Sequence, residues 1–296
     1  MNKIFVFGDK GQLGTDCRAV FADGFDVFGA DLPEVNAGDR NQCFAALDAV
    51  RPDVIVNCAA FTAVDLCESE RGLCREANTD APQFMAEWAE ANGAFLVHVS
   101  TDYVFSGDRP LYEASVETDA AGPVSEYGRA KLAGEKNIAE VMSGGYAILR
   151  TAWLYGCHGK NFLKTMLRLA LADSEKHYKV VADQFGSPTW SMTLARQIKE
   201  VVKVRAKGVF HATSEGYCSW YDLACEFLEL MQVPHSMQPC TTDEYPTPAV
   251  RPENSILENR SLKEAGINVF NDWRDELRAY VSECGESVLN EVKELA

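Results

Sequence analysis

Through the first half of the chain, short continuous apolar runs alternate with longer stretches whose apolar positions recur three and four residues apart. Lys3 to Phe7, Phe25 to Ala30, Asp53 to Asn57, Ala94 to Val99 and Tyr146 to Arg150 are runs of this kind, rich in β-branched and aromatic residues. They are apolar on successive rather than alternate positions, the pattern of strands buried on both faces of a parallel sheet. Between them, Thr15 to Phe21, residues 39 to 50, the long stretch that ends before Gly93, and Tyr127 to about Met142 carry helical spacing. Asn78-Thr79-Asp80 supplies a helix start and Gly93 a helix stop. Strand and helix in alternation through residue 150 predict an α/β chain with a Rossmann-type doubly wound parallel sheet.

Beyond residue 150 the alternation loosens. Helical spacing over Lys160 to Ala172 precedes a strand near Tyr178 to Val181 and the turn Asp183 to Thr189. A helix around Leu194 to Val202 and a strand over Gly208 to Ala212 return to the sheet, and helices from Trp220 to Met231 and from Asp272 flank a Pro-rich loop. The expected organisation is a dinucleotide-binding domain over 1–150, completed by about 182–212. A smaller, mostly C-terminal substrate-binding domain takes 151–181 and 213–296.

The first strand runs into Gly8-Asp9-Lys10-Gly11-Gln12-Leu13-Gly14 and then a helix. Gly8, Gly11 and Gly14 let backbone approach a pyrophosphate and aim helix N-terminal amides at it. Asp31 ends the second strand about 20 residues on, where such folds place the carboxylate that bonds the adenosine ribose. An acid there repels the extra phosphate of NADP, and Arg40 beside Asp39 offsets that repulsion, so NADPH and NADH both stay open. Ala59-Ala60, after the third strand, permits close approach to a flat ligand. The fourth strand delivers Ser100 to Phe105 to the carboxyl edge of the sheet, where ligands bind in open α/β sheets. Tyr127 and Lys131, four apart, share a helix face. An ammonium near a phenol favours the phenolate, so the pair is expected to exchange a proton nearer neutral pH and to serve as an acid catalyst.

Composition narrows the partners. The chain of 296 residues is 47% hydrophobic and 24% charged, ordinary values for a globular protein. Its net charge of −16 opposes nucleic acid and anionic membranes and leaves room for a small anionic ligand at a local basic cluster. No apolar run reaches the roughly 18 residues of a bilayer span, and the N-terminus lacks a signal-peptide pattern, so the expected location is cytoplasmic. The 10 cysteines include no Cys-x-x-Cys pair, and reduced, structural thiols are expected.

Several longer motifs in this order resemble the extended short-chain dehydrogenases, and within them the dTDP-4-dehydrorhamnose reductase family, over nearly the whole chain. They are Gly8 to Gly14 with Gln12-Leu13, Asn57 to Asp65, Ser100 to Phe105, Tyr127 to Lys131, Asp183 to Thr189 and Arg251-Pro252-Glu253-Asn254-Ser255. The resemblance implies NAD(P)H-dependent reduction of the C4 keto group of dTDP-4-dehydro-L-rhamnose, a step of nucleotide-sugar and surface-polysaccharide biosynthesis. It places Gly11, Gln12, Leu13, Asp31, Asp39, Arg40, Ala60, Phe61 and Thr62 along the dinucleotide. It makes Thr101 a hydrogen-bond donor to the reacting oxygen, Tyr127 the proton donor, and Lys131 the residue that holds the nicotinamide ribose and lowers the Tyr127 pKa. Val64, Asp102, Tyr103 and Trp153 then surround the deoxysugar. Lys160, Lys164 and Arg251, with Asn161 near the same wall, are candidates for the sugar nucleotide's diphosphate.

Phe61 stands where many members carry His. Some relatives dimerise through magnesium held by carboxylates, and Met192 takes the place of one of those acids, so no metal is expected; the assembly is a monomer or a homodimer. Two other readings share the fold: a reductase of a related nucleotide 4-keto sugar, and a non-catalytic dinucleotide-binding subunit like the regulatory subunit of methionine adenosyltransferase. The intact Thr101, Tyr127 and Lys131 set distinguishes the enzyme, since a purely regulatory protein has no chemical use for it.

Overall fold

The computed structural model describes residues 2–294. Its first part runs β1 (Lys3–Phe7), α1 (Gln12–Phe21), β2 (Asp26–Ala30), α2 (Arg40–Val50), β3 (Val54–Asn57), the short α3 (Val64–Cys67) and α4 (Arg71–Arg75), α5 (Ala81–Asn92), β4 (Phe95–Thr101), α6 (Glu126–Val141) and β5 (Tyr146–Thr151). There follow β6 (Leu154–Tyr155), α7 (Phe162–Ala172), β7 (His177–Val181), β8 (Phe185–Gly186), β9 (Thr189–Trp190), α8 (Ser191–Val204) and β10 (Gly208–His211). The last part is β11 (Cys218–Ser219), α9 (Trp220–Leu230), β12 (Ser236–Cys240), β13 (Asn254–Ser255), α10 (Arg260–Glu264) and α11 (Trp273–Glu294).

Six strands form one parallel sheet in the order β2-β1-β3-β4-β5-β10. Successive side chains of a strand point to opposite faces, and here both faces are covered. Ile4, Val6, Val54, Val56, Val97 and Leu149 pack with Leu13 and Cys17 of α1 and with Leu194, Ile198 and Val201 of α8. Phe5, Phe7, Ile55, Leu96 and Ile148 pack on the other face with Leu47, Met85, Trp88 and Ile138 from α2, α5 and α6. That double burial is why the strands read as continuous apolar runs. A second core, with Tyr155, Leu167, Trp190, Phe227, Trp273 and Tyr280, joins α7, α9 and α11.

Strand order reverses between β1 and β3, leaving a crevice at the carboxyl ends where open α/β sheets bind ligands. Helix ends follow their caps. Asp39 accepts from the Asn41 and Gln42 amides and starts α2. Ser125 accepts from the Gly128 amide and starts α6. Asn161 accepts from the Lys164 amide, so α7 begins at Phe162 rather than Lys160. Gly93, at φ +70°, ends α5.

The expectation of reduced thiols throughout is corrected by a disulfide between Cys157 and Cys284, whose Cα atoms lie 5.8 Å apart across 127 residues of sequence. Local spacing carried no sign of it, because the contact exists only once α11 packs against the loop after β6. No helix among the described residues is long and apolar enough to cross a membrane.

Candidate active site

The glycine turn and α1 form the floor of the site. Gly8 sits at φ +73°, and a Cβ there would come within 2.7 Å of the Ala59 amide nitrogen. A Cβ on Gly14 would run into the Gly8 carbonyl. The turn is thus closed to any side chain at these positions. Gly11, at the N-cap of α1, brings no side-chain acceptor to the first-turn amides, which leaves them for an anion. These features fit a dinucleotide pyrophosphate.

Two adjoining cavities meet at this turn. One, of about 300 Å³, is lined by Gly8, Gly11, Asp31, Ala59, Ala60 and Phe61 among others. Asp31 accepts from the Lys10 amide at 3.2 Å and the Leu32 amide at 2.8 Å, which fixes its carboxylate at the rim. Asn78 holds the Phe61 backbone in place: fully buried, it accepts from the Phe61 amide at 3.2 Å and donates to the Phe61 carbonyl at 3.0 Å. In the sequence Asn78 reads only as a helix-start signal; it lies in the single π-helical turn Glu76–Asp80 just before α5.

The larger cavity, about 560 Å³, is lined by Gln12, Leu13, Gly14, Thr62, Val64, Thr101, Asp102, Tyr103, Tyr127, Lys131 and Trp153. The glycine turn, the end of β4 and the first turns of α6 therefore converge on one space. The start of α6 lies tight on the turn after β4, since a Cβ on Gly128 would strike the Tyr103 carbonyl. The Tyr103 and Tyr127 rings meet edge to face at 5.6 Å. Thr101 donates to Asp102 Oδ1 at 2.9 Å and accepts from the Tyr103 amide at 3.2 Å. Asp102 Oδ2 and Thr151 Oγ1 are buried with no partner among the described residues, and both residues line this cavity.

Trp153 lies flat on Trp220, with ring centroids 3.6 Å apart and planes within 10°. Its backbone is left-handed, at φ +45°, a conformation that costs a non-glycine residue of order 1–3 kcal/mol and is concentrated at functional sites. Gly186 makes room for the indole, because a Cβ there would overlap it. Trp220 also lines the cavity. In sequence Trp220 reads only as the start of a helix, and nothing local marks it as half of a stack.

Burial dominates the electrostatics. It raises the Tyr127 phenol above its ordinary range, Asp102 pushes in the same direction, and the Thr101 hydroxyl opposes both. The expectation that Lys131 draws this pKa down is therefore not met. The Lys131 ammonium is buried, which pulls it down to about 8, and its Nζ is engaged by the Val99 carbonyl at 2.7 Å and His98 Nε2 at 3.3 Å. Asp102 is raised to about 6, again by burial first.

Several expected contacts lie elsewhere. Asp39 is occupied as the α2 cap, and Arg40 bonds Glu87 at 3.1 Å and covers the Phe44 ring, so neither lines the cavities. Asn161 caps α7 and donates to Gln12 Oε1 at 2.9 Å, tying the glycine turn to the second half of the chain instead of lining the pocket. Lys164 is removed as a phosphate contact: it is buried, donating to Glu291 at 2.6 Å and to the Cys157 carbonyl at 2.8 Å. Arg251 makes a two-point pair with Asp65 at 3.0 and 2.8 Å and lines a third cavity of about 480 Å³ that shares Phe162 and Trp220 with the larger one. Lys160 lines the larger cavity and forms no ion pair among the described residues.

A doubly wound sheet, a glycine turn built for pyrophosphate and a Tyr/Lys pair opening on the same cavity define a dinucleotide-dependent oxidoreductase of the extended short-chain dehydrogenase type. A family model described as RmlD substrate binding domain matches residues 1–285. A relative from Streptomyces griseus, named dTDP-4-dehydrorhamnose reductase, is 40% identical over 296 residues, spanning 95% of this chain and 94% of its own. One from Streptomyces niveus, named dTDP-4-keto-6-deoxy-D-glucose reductase, is 36% identical over 276 residues, spanning 92% and 94%. The solved structure of Bacillus anthracis dTDP-4-dehydrorhamnose reductase in complex with NADP aligns at a TM-score of 0.91 and 33% identity, over 95% of this chain and 99% of that one. The chain belongs to the dTDP-4-dehydrorhamnose reductase family.

Proposed function

We propose that this protein catalyses the NAD(P)H-dependent reduction of the C4 keto group of dTDP-4-dehydro-L-rhamnose to dTDP-L-rhamnose, a nucleotide-sugar step of surface-polysaccharide biosynthesis. The observation that carries this reading is the convergence of Thr101, Tyr127 and Lys131 on the cavity that also receives the glycine turn. The dinucleotide, when bound, supplies the hydride.

The chain's own residues handle the charge and the proton. Reduction of a carbonyl builds negative charge on its oxygen, which oriented donors must meet. Tyr127 is one of those donors, and Thr101 becomes the other when its hydroxyl turns from Asp102 Oδ1, to which it donates in the structure, towards the substrate oxygen. The raised pKa of Tyr127 keeps the phenol protonated at neutral pH, so it has a proton to give when the oxygen becomes basic enough to take it. Gly8, Gly11, Gly14, Gln12 and Leu13 hold the pyrophosphate end, and Asp31, Ala59, Ala60, Phe61 and Thr62 the nucleoside. Val64, Tyr103 and the Trp153/Trp220 stack offer apolar and aromatic surface to a 6-deoxy sugar, with Asp102 available to its hydroxyls.

Lys160 and Arg251 are the cations proposed to meet the sugar nucleotide's diphosphate. Arg251→Glu is expected to raise the KM for the sugar nucleotide about tenfold, roughly 1.4 kcal/mol of binding. An unchanged KM in steady-state kinetics removes Arg251 from this role. The Asp31 carboxylate at the rim repels a 2′-phosphate, so Asp31→Asn is expected to shift the ratio of kcat/KM for NADPH over NADH towards NADPH, by about tenfold on Coulomb grounds at partial exposure. A ratio that stays constant or falls contradicts that placement.

A second reading keeps the chemistry and changes the sugar. The Streptomyces niveus relative is named for a dTDP-4-keto-6-deoxy-D-glucose substrate. Comparing kcat/KM for the two 4-keto sugars decides between them.

A further inference from the structure

Asn57 at the end of β3, His98 on β4 and Lys131 on α6 form a buried polar chain of their own. Asn57 and His98 are partners in the parallel register of β3 and β4. The Ala59 amide donates to Asn57 Oδ1 at 3.0 Å, which fixes which way the carboxamide faces. Nδ2, a donor only, is then the atom 3.0 Å from His98 Nδ1. His98 Nδ1 must accept, so the single proton of a neutral imidazole sits on Nε2. Burial holds His98 neutral by pulling its pKa well below the ordinary value, and Lys131 acts in the same direction. The Nε2–H therefore points at Lys131 Nζ, 3.3 Å away.

An ammonium can present only N–H at that contact, whereas an amine presents its lone pair. The other bond of Nζ, to the Val99 carbonyl, serves both forms because each keeps an N–H. We propose that His98 is a positioning residue that sets the ionisation of Lys131: Asn57 locks its tautomer, and the Nε2–H it turns towards Lys131 favours the amine over the ammonium. Burial works the same way. Glu135 on α6, Cys58 after β3 and Cys74 on α4 work against it, but Glu135 is already held by Arg150 at 2.7 and 3.0 Å and by Ser100 at 2.5 Å. Tyr127, one turn back on α6, is neutral. Lys131 is left able to release a proton within the working range of pH, which an ordinary lysine with a pKa near 10.4 is not.

This inference rests on reading Lys131 as part of the reductase, and its test needs neither cofactor nor sugar, so its failure leaves that reading standing. The full-length protein is labelled with lysine carrying 13C at Cε, and the Lys131 signal, assigned by its loss in Lys131→Met, is followed against pH. The wild-type inflection is expected near 8. His98→Asn keeps an oxygen where Nδ1 accepted and removes the N–H facing Lys131. Asn57→Asp keeps the acceptor for Ala59 but makes the other atom an acceptor too, which moves the His98 proton to Nδ1 and gives Lys131 a bare nitrogen.

Both variants are expected to raise the inflection by about one pH unit, a tenfold gain in proton affinity. His98→Leu, which also presents no N–H to Lys131, replaces the Asn variant should that one lack a cooperative melt. An inflection that stays in place or falls in the folded His98 variant overturns the proposal. So does a rise confined to Asn57→Asp, because the added carboxylate alone accounts for it.

Discussion

Tyr127→Phe is expected to lower kcat by about 10²–10⁴-fold, the range that a positioned general acid contributes, while the dinucleotide Kd stays nearly unchanged. Only the phenolic oxygen is lost. The ring still packs edge to face against Tyr103 and beside Cys67 and Cys74, so the start of α6 keeps its place and the glycine turn is not touched. Equilibrium binding followed by nicotinamide fluorescence and steady-state turnover separate the two quantities. A fall in both together points to a disturbed fold. Wild-type turnover in the variant removes Tyr127 from the mechanism.

Thr101→Val is expected to cost about 10²–10³-fold in kcat, as removal of one oriented donor at a developing oxyanion does. Val matches Thr in shape, so the end of β4 is preserved. The Tyr103 amide loses the acceptor it has at 3.2 Å, and a buried donor left unpaired costs about 1–3 kcal/mol of stability, which a lowered Tm reads. Thr101→Ser restores the hydroxyl and is expected to recover most of both losses. If Val and Ser variants turn over equally, the hydroxyl is not the donor.

The sequence was most informative where one local pattern does the physical work. The strands of the sheet are continuous apolar runs because both faces are covered, and Gly8 and Gly14 are glycine because backbone stands where their Cβ atoms would be. Tyr127 and Lys131 share a helix face by spacing alone, and the structure brings both to the cavity. What was illegible depends on contacts between distant segments. The Trp153/Trp220 stack, the Cys157–Cys284 bridge and the Asn161–Gln12 bond each join parts of the chain that carry no mutual signal.

Charged residues misled for a related reason. A basic residue in sequence does not disclose its partner, and Lys164 is taken by Glu291 while Arg40 is taken by Glu87. The sign of the Tyr127 shift is not legible in sequence, which displays the nearby cation but not the burial, and burial is the largest contribution once the phenol is enclosed. In sequence His98 reads as an ordinary strand position, and Asn57 as a strand end that opens one of the family motifs, with nothing to link the two. Only the register of β3 against β4, with α6 packed across them, makes them neighbours of Lys131.

The most direct test mixes the purified protein with NADPH or NADH and dTDP-4-dehydro-L-rhamnose and follows absorbance at the nicotinamide band, with the product identified by mass and NMR. The expected result is oxidation of the reduced dinucleotide in step with sugar consumed, giving dTDP-L-rhamnose, and its near-abolition in Tyr127→Phe. No oxidation with this or any related dTDP-4-keto sugar, in protein that binds the dinucleotide, contradicts the enzymatic reading and favours a non-catalytic dinucleotide-binding role.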